Sequence, residues 1–117
     1  MQERRNTSRK KIKYYVPVID AESYEQIGVL LEITSQGMMV DSQKLVPIDR
    51  PIRLRLDLTD QSFEVPFISF VAQAKWVRPD KIEPNYFDVG FEIVEISDED
   101  RLIVEEIMEK YASQSAS

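Results

Sequence analysis

The chain has no cysteine and no histidine. Without cysteine there is no disulfide framework, which fits a reducing, cytoplasmic setting. Without either residue, zinc sites of the usual kind are excluded, and so is nucleophilic machinery built on Cys/His or Ser/His/Asp. An acid/base enzyme using carboxylates alone would remain open. The 21 acidic side chains, however, are scattered along strand faces and a last helix, with no constellation that suggests catalysis. Binding, not catalysis, is the expected class, with no metal and no cofactor. Long apolar runs are missing too: none approaches the ~20 residues that span a bilayer. No apolar stretch follows the basic opening, as it would in a secretory signal, so neither membrane insertion nor export is expected.

What is present describes one globular domain. At 117 residues, 43% hydrophobic and 31% charged, the chain can build one modest core. Its dominant signal is alternation. In IRLRLDL (residues 52–58) Ile52, Leu54, Leu56 and Leu58 point one way while Arg53, Arg55 and Asp57 point the other, a strand with one buried face. YYVPVID (14–20) alternates through Val16 and Val18, with Pro17 suggesting an edge position. IGVLLEI (27–33) reads as a more thoroughly buried strand, continued by GMMVD (37–41) after a turn. FISFVAQAKWVR (67–78) makes a long strand, PDKIEPN (79–85) a turn, and YFDVGFEIVEI (86–96) the returning partner. About six short strands without intervening helices predict an all-β antiparallel barrel or sandwich. A barrel also removes the exposed edges of so small a sheet.

One helix is expected, at the end. Ser97 followed by Asp100 is an N-terminal start signal, with Asp98 and Glu99 enriching the first turn. Ile103, Ile107 and Tyr111, flanked by Val104 and Met108, draw an apolar stripe. That stripe covers an open end or face of the barrel, or else meets a partner. The final residues, 113–117, are small and polar and are expected as a frayed tail.

Charge is distributed unevenly. The first thirteen residues hold six basic side chains, Arg4, Arg5, Arg9, Lys10, Lys11 and Lys13, against Glu3; the rest of the chain holds nine basic and twenty acidic residues, a net of −11. Such a run can be a solvated terminus, a polybasic arm for nucleic acid or an anionic membrane, or a grip on a compact anion. Residue type favours the last. The first three charges are all arginine, whose planar fork bonds phosphate and the O6/N7 edge of guanine in bidentate fashion. Arg5 and Arg9 could converge on one ligand if the segment coils back. A domain of net charge −6 with no basic barrel face is a poor candidate for tracking DNA or RNA.

A second polar stretch lies in LLEITSQGMMV (30–40), where EITSQG separates two apolar flanks. Alternation puts Glu32 and Thr34 on one face and Ile33 in the core. Gly37 supplies either a positive φ or a close backbone approach. A carboxylate, a hydroxyl and a glycine on the outside of a barrel could receive the N1/N2 donor edge of a guanine, or the stretch could be a β-turn capped by Thr34 or Ser35. Trp76, beside Arg78, either packs in the core or beneath the helix, or offers a ring for a base. Arg53 and Arg55 read as solvated strand residues.

Together the two stretches resemble the PilZ domain, a bacterial receptor module for cyclic di-GMP. That family carries R-x-x-x-R before its first strand and [D/N]-x-S-x-x-G at a later strand turn. Arg5-Asn6-Thr7-Ser8-Arg9, preceded by Arg4, matches the first, and Glu32-Ile33-Thr34-Ser35-Gln36-Gly37 aligns with the second. AKWVRP (74–79), VGFEIV (89–94) and SDEDR (97–101) extend the likeness over nearly the whole chain. The resemblance implies a six-stranded antiparallel β-barrel over residues 14–112, with a C-terminal helix, and an N-terminal ligand-binding loop over residues 1–13. Arg4, Arg5 and Arg9 would bind the phosphates and guanine Hoogsteen edges of cyclic di-GMP. Glu32 and Thr34 would contact guanine from the barrel surface, and Gly37 would keep the approach clear.

Six like charges repel, so a ligand with two phosphates would neutralise part of them and order the loop. An effector protein, not identifiable from sequence, would receive the signal. Glu32 stands where the family has Asp or Asn, and Thr34 where it has Ser. Both keep the chemical type, but Glu is one methylene longer and Thr adds a methyl group. The alternative is a PilZ-like protein-interaction adaptor that binds no ligand.

Overall fold

The computed structural model describes residues 15–116, with side chains through residue 110. Arg4, Arg5, Arg9 and the rest of the basic opening lie outside the described residues. Alternation in sequence becomes six strands: β1 (Pro17–Asp20), β2 (Gln26–Ile33), β3 (Gly37–Ser42), β4 (Ile52–Asp57), β5 (Phe67–Pro79) and β6 (Phe87–Glu95). All neighbouring pairs are antiparallel, and the order β1-β2-β3-β6-β5-β4 closes into a barrel. One helix, α1 (Asp98–Ala116), follows.

Inward residues of every strand meet in one core. Val18, Leu30, Val40, Leu54, Leu56, Ile68, Phe70, Ala72 and Val89 are fully or almost fully buried there. Burying a side chain of the Val, Leu, Ile or Phe class is worth about 1.5–3 kcal/mol each, so this set dominates the fold's stability. Closing a six-stranded sheet this tightly requires sharp local bending, which β-bulges supply. Register breaks occur between Val18 and Ile19, Leu30 and Glu32, Val71 and Ala72, and Ala74 and Trp76.

Two of these bulges set the outer surface. In β2, Leu30 pairs with Val40 and Glu32 with Met39, so Leu31 is the extra residue. Unbroken alternation from Leu30 would turn Glu32 inward; the bulge turns it out and sends Ile33 to the core. In β5, Ala74 pairs with Phe91 and Trp76 with Gly90, leaving Lys75 extra. The inward series Ile68, Phe70, Ala72, Ala74 therefore stops, and Val77 opposite Val89 takes over.

Pro17 does not lie on an edge, because β1 is flanked by β2 and β4. Proline is tolerated because it is the first residue of the strand and pairing with β4 starts only at Val18. The helix begins as its sequence predicts: the Ser97 hydroxyl accepts the Asp100 amide at 3.1 Å. Val104 and Ile107, each 1% exposed, join the core, with Ile103 and Met108 packed beside them, so the stripe covers the barrel. The Asp100 carboxylate accepts the Ser69 amide at 3.3 Å, on the stretch of β5 that extends past the end of β6. The helical backbone continues through residues 113–116, past the expected boundary at 112, since neither Gly nor Pro interrupts it.

Candidate functional site

The EITSQG stretch is the tight connection between β2 and β3. Its first residue, Glu32, projects outward near the end of β2, and Thr34 is exposed in the turn. The turn is built around the Thr34 hydroxyl, which accepts the amides of Gln36 and Gly37, both at 3.2 Å, and donates to the Gly37 carbonyl at 3.4 Å. The Thr34 amide donates to the same carbonyl at 2.7 Å. The capping role and the surface position, alternatives from sequence, thus coexist in one residue.

Neighbouring elements hold the turn from outside. The Ile93 amide of β6 donates to the Gln36 carbonyl at 2.8 Å, and the Arg101 guanidinium of α1 to the Ser35 carbonyl at 3.4 Å. Gly37 needs no positive φ. Its requirement is space, since a Cβ there would stand 2.5 Å from the Phe91 carbonyl oxygen. Of the two reasons for a glycine, close backbone approach is the one that applies.

Register extends this surface across the barrel. Glu32 lies opposite Met39, Met39 opposite Gly90, and Gly90 opposite Trp76, giving one outward row over β2, β3, β6 and β5. With strands about 4.8 Å apart, Glu32 and Trp76 stand about 14 Å apart along the sheet. Trp76 is 36% exposed and not in the core, contrary to the expectation from the inward series it follows. The Lys75 bulge is the cause. Its indole lies over Gly90, where an added Cβ would come within 2.2 Å of the ring. The Arg78 guanidinium sits 4.3 Å from the ring centroid. Arg53 is exposed as expected, whereas Arg55 pairs with Asp57 at 2.8 Å and lies over Phe67.

The Val16 carbonyl accepts the Leu30 amide at 2.9 Å, two residues before Glu32 in β2. The chain preceding β1 therefore joins the barrel beside the motif turn. Arg9 is six residues before Tyr15, a reach of at most about 20 Å. A model of the PilZ domain matches residues 3–110. The chain belongs to the PilZ domain family.

No curated protein and no solved structure gives a significant match. PilZ domains are known as cyclic di-GMP-binding and adaptor modules. In this PilZ domain the described part of the candidate face comprises Glu32, the Thr34–Gly37 turn, Met39, Trp76 and Arg78. Sequence left Trp76 between the core and the surface and gave Met39 no role; the cross-strand register puts both on the outer row. Among the described residues no group of three or more Asp or Glu side chains could hold a metal ion, and no helix is long and apolar enough to cross a membrane.

Proposed function

We propose that this PilZ domain is a cyclic di-GMP receptor that passes its ligand state to a partner protein. The observation that carries the reading is the entry of the chain into β1 beside the motif turn, through the Val16–Leu30 hydrogen bond. From Tyr15 six residues of chain lead back to Arg9, a length of up to about 20 Å that supports a joint site with the outward Glu32 and the turn built on Thr34. Arg4, Arg5 and Arg9 supply forks for the ligand's phosphates and guanine O6/N7 edges. Glu32 accepts from a guanine N1/N2 edge. Gly37 and the Thr34 hydroxyl set the turn that presents it. Ligand phosphates offset the repulsion among six basic side chains and fix the segment against the barrel, which changes the surface offered to the effector.

One observation favours the alternative of a ligand-free adaptor. The Thr34 hydroxyl already spends its hydrogen-bonding capacity inside the turn, which leaves Glu32 as the contact from this stretch. Calorimetric titration of the full chain with cyclic di-GMP at about 0.15 M salt decides between the two, with an Arg5→Ala/Arg9→Ala variant and GTP as controls. Saturable micromolar binding that disappears in the variant supports the receptor. A flat wild-type trace at high ligand concentration leaves the adaptor.

A further inference from the structure

The basic opening has a counterpart in the barrel wall of this PilZ domain. Strands β2, β3 and β6 hold Glu32, Asp41, Asp88, Glu92 and Glu95 but neither lysine nor arginine. Two of these carboxylates face each other, because Asp41 is the direct register partner of Asp88. The adjacent pair, Val40 and Val89, is fully buried, so alternation turns both aspartates to the outer face, where each is half-buried. Like charges directly opposite on one face of a sheet repel. Such an arrangement favours a cation held across both.

Register also shows where that cation enters. The row that contains the pair runs Pro17, Val29, Asp41, Asp88, Arg78 across β1, β2, β3, β6 and β5. At its β5 end the Arg78 guanidinium lies over the Trp76 ring. At its β1 end stands the first residue of the first strand, where the basic opening joins the barrel. Asp41 is two strand spacings from Pro17, about 10 Å, and Asp88 three, about 14 Å. Lys13, Lys11 and Lys10 precede Pro17 by four, six and seven residues, chain lengths of up to about 13, 20 and 23 Å before the side chain is counted. The opening also divides by residue type: Arg4, Arg5 and Arg9 come first, and the lysines lie nearest the strand. Planar forks suit phosphate and guanine, whereas a compact ammonium on a flexible stem suits a pair of carboxylates.

We propose that Asp41 and Asp88 are the docking site of the lysine run at residues 10–13, which lies outside the described residues. The contact latches the opening to the outer face of the barrel, and it does so without a ligand. Met39, two residues from Asp41 on the same strand face, lies opposite Glu32, so the latch runs alongside the Glu32 row. Arg4, Arg5 and Arg9 are left to a ligand. The occupant is this chain's own segment because that segment begins in the same row, whereas a second copy would approach with the same net charge of −6.

Trypsin cleavage after Arg9, followed by mass spectrometry on the ligand-free full chain, tests the latch. Asp41→Asn/Asp88→Asn keeps side-chain shape and removes both charges; cleavage should quicken about three- to tenfold, the worth of two partly exposed ion pairs. In a Lys10→Gln/Lys11→Gln/Lys13→Gln background the same exchange should leave the rate unchanged. Raising salt from about 0.05 to about 0.5 M should quicken cleavage of the wild type relative to the aspartate variant, since screening loosens the contact. Glu105→Gln/Glu109→Gln, which removes two charges from α1, should have no effect. Cooperative thermal unfolding well above the assay temperature shows each variant to be folded. A rate unmoved by the aspartate exchange, or moved equally in the lysine-to-glutamine background, overturns the latch. Quickening by the α1 variant places the segment on the helix instead, and protection that grows with protein concentration assigns the lysines to a second copy; either result also overturns it.

Discussion

Replacing Gly37 by alanine separates the structural demand on the motif glycine from any demand of a ligand. Two effects oppose one another. The φ of Gly37 is not positive, so alanine is conformationally permitted and would stabilise by about 0.4–1 kcal/mol through a less flexible unfolded chain. Against this, its Cβ would stand 2.5 Å from the Phe91 carbonyl oxygen, a backbone atom held in the β3–β6 ladder. A carbon–oxygen contact wants at least about 3.3 Å, so the head of β3 must retreat by nearly 1 Å. Overpacking of this kind costs about 1–3 kcal/mol.

The retreat also strains the bonds from the Thr34 amide to the Gly37 carbonyl and from the Ile93 amide to the Gln36 carbonyl, each worth about 0.5–1.5 kcal/mol net. The cost outweighs the gain, and a net loss of about 1–3 kcal/mol is expected. Urea unfolding of the ligand-free protein, followed by Trp76 fluorescence, measures it. With a slope of about 1–3 kcal/mol per molar urea, the midpoint should fall by roughly 1 M at unchanged slope. A midpoint that stays or rises would refute the close-approach argument and return Gly37 to a purely ligand-related role.

Other outcomes follow from the same geometry. Thr34→Ser keeps the hydroxyl that caps the turn and should change stability by under about 0.5 kcal/mol, whereas Thr34→Val leaves two exposed amides without it and should cost about 1 kcal/mol by urea titration. Ser97→Ala removes the helix cap and should lower stability by about 1 kcal/mol in the same assay. Phe70→Ala opens a hole at the centre of the barrel and should cost about 3–5 kcal/mol, enough to populate unfolded protein at ambient temperature. Gly90→Ala should lift the indole from the sheet and shift Trp76 emission to longer wavelength while the protein stays folded.

Alternation and capping, properties of a few consecutive residues, were enough to read the six strands, the inward identity of Leu54, Leu56 and Ile33, and the start of α1 at Ser97. The motif turn was legible too, since Glu32 and Thr34 face out as their spacing requires. Three features were settled only by closure of the sheet. Pro17 reads as an edge residue, but in a barrel every strand has two neighbours, and the proline is accommodated by where pairing with β4 begins. Gly37 leaves open which freedom it supplies, because only the facing Phe91 carbonyl shows that space is the need.

Trp76 continues an inward series by every local rule, yet it faces solvent because the barrel places a bulge at Lys75. Local chemistry specifies which residues prefer to be buried. Where a strand must slip by one residue depends on matching its length and curvature to partners distant in sequence. That match decided which side of the wall received the indole, Arg78 and the far end of the candidate site.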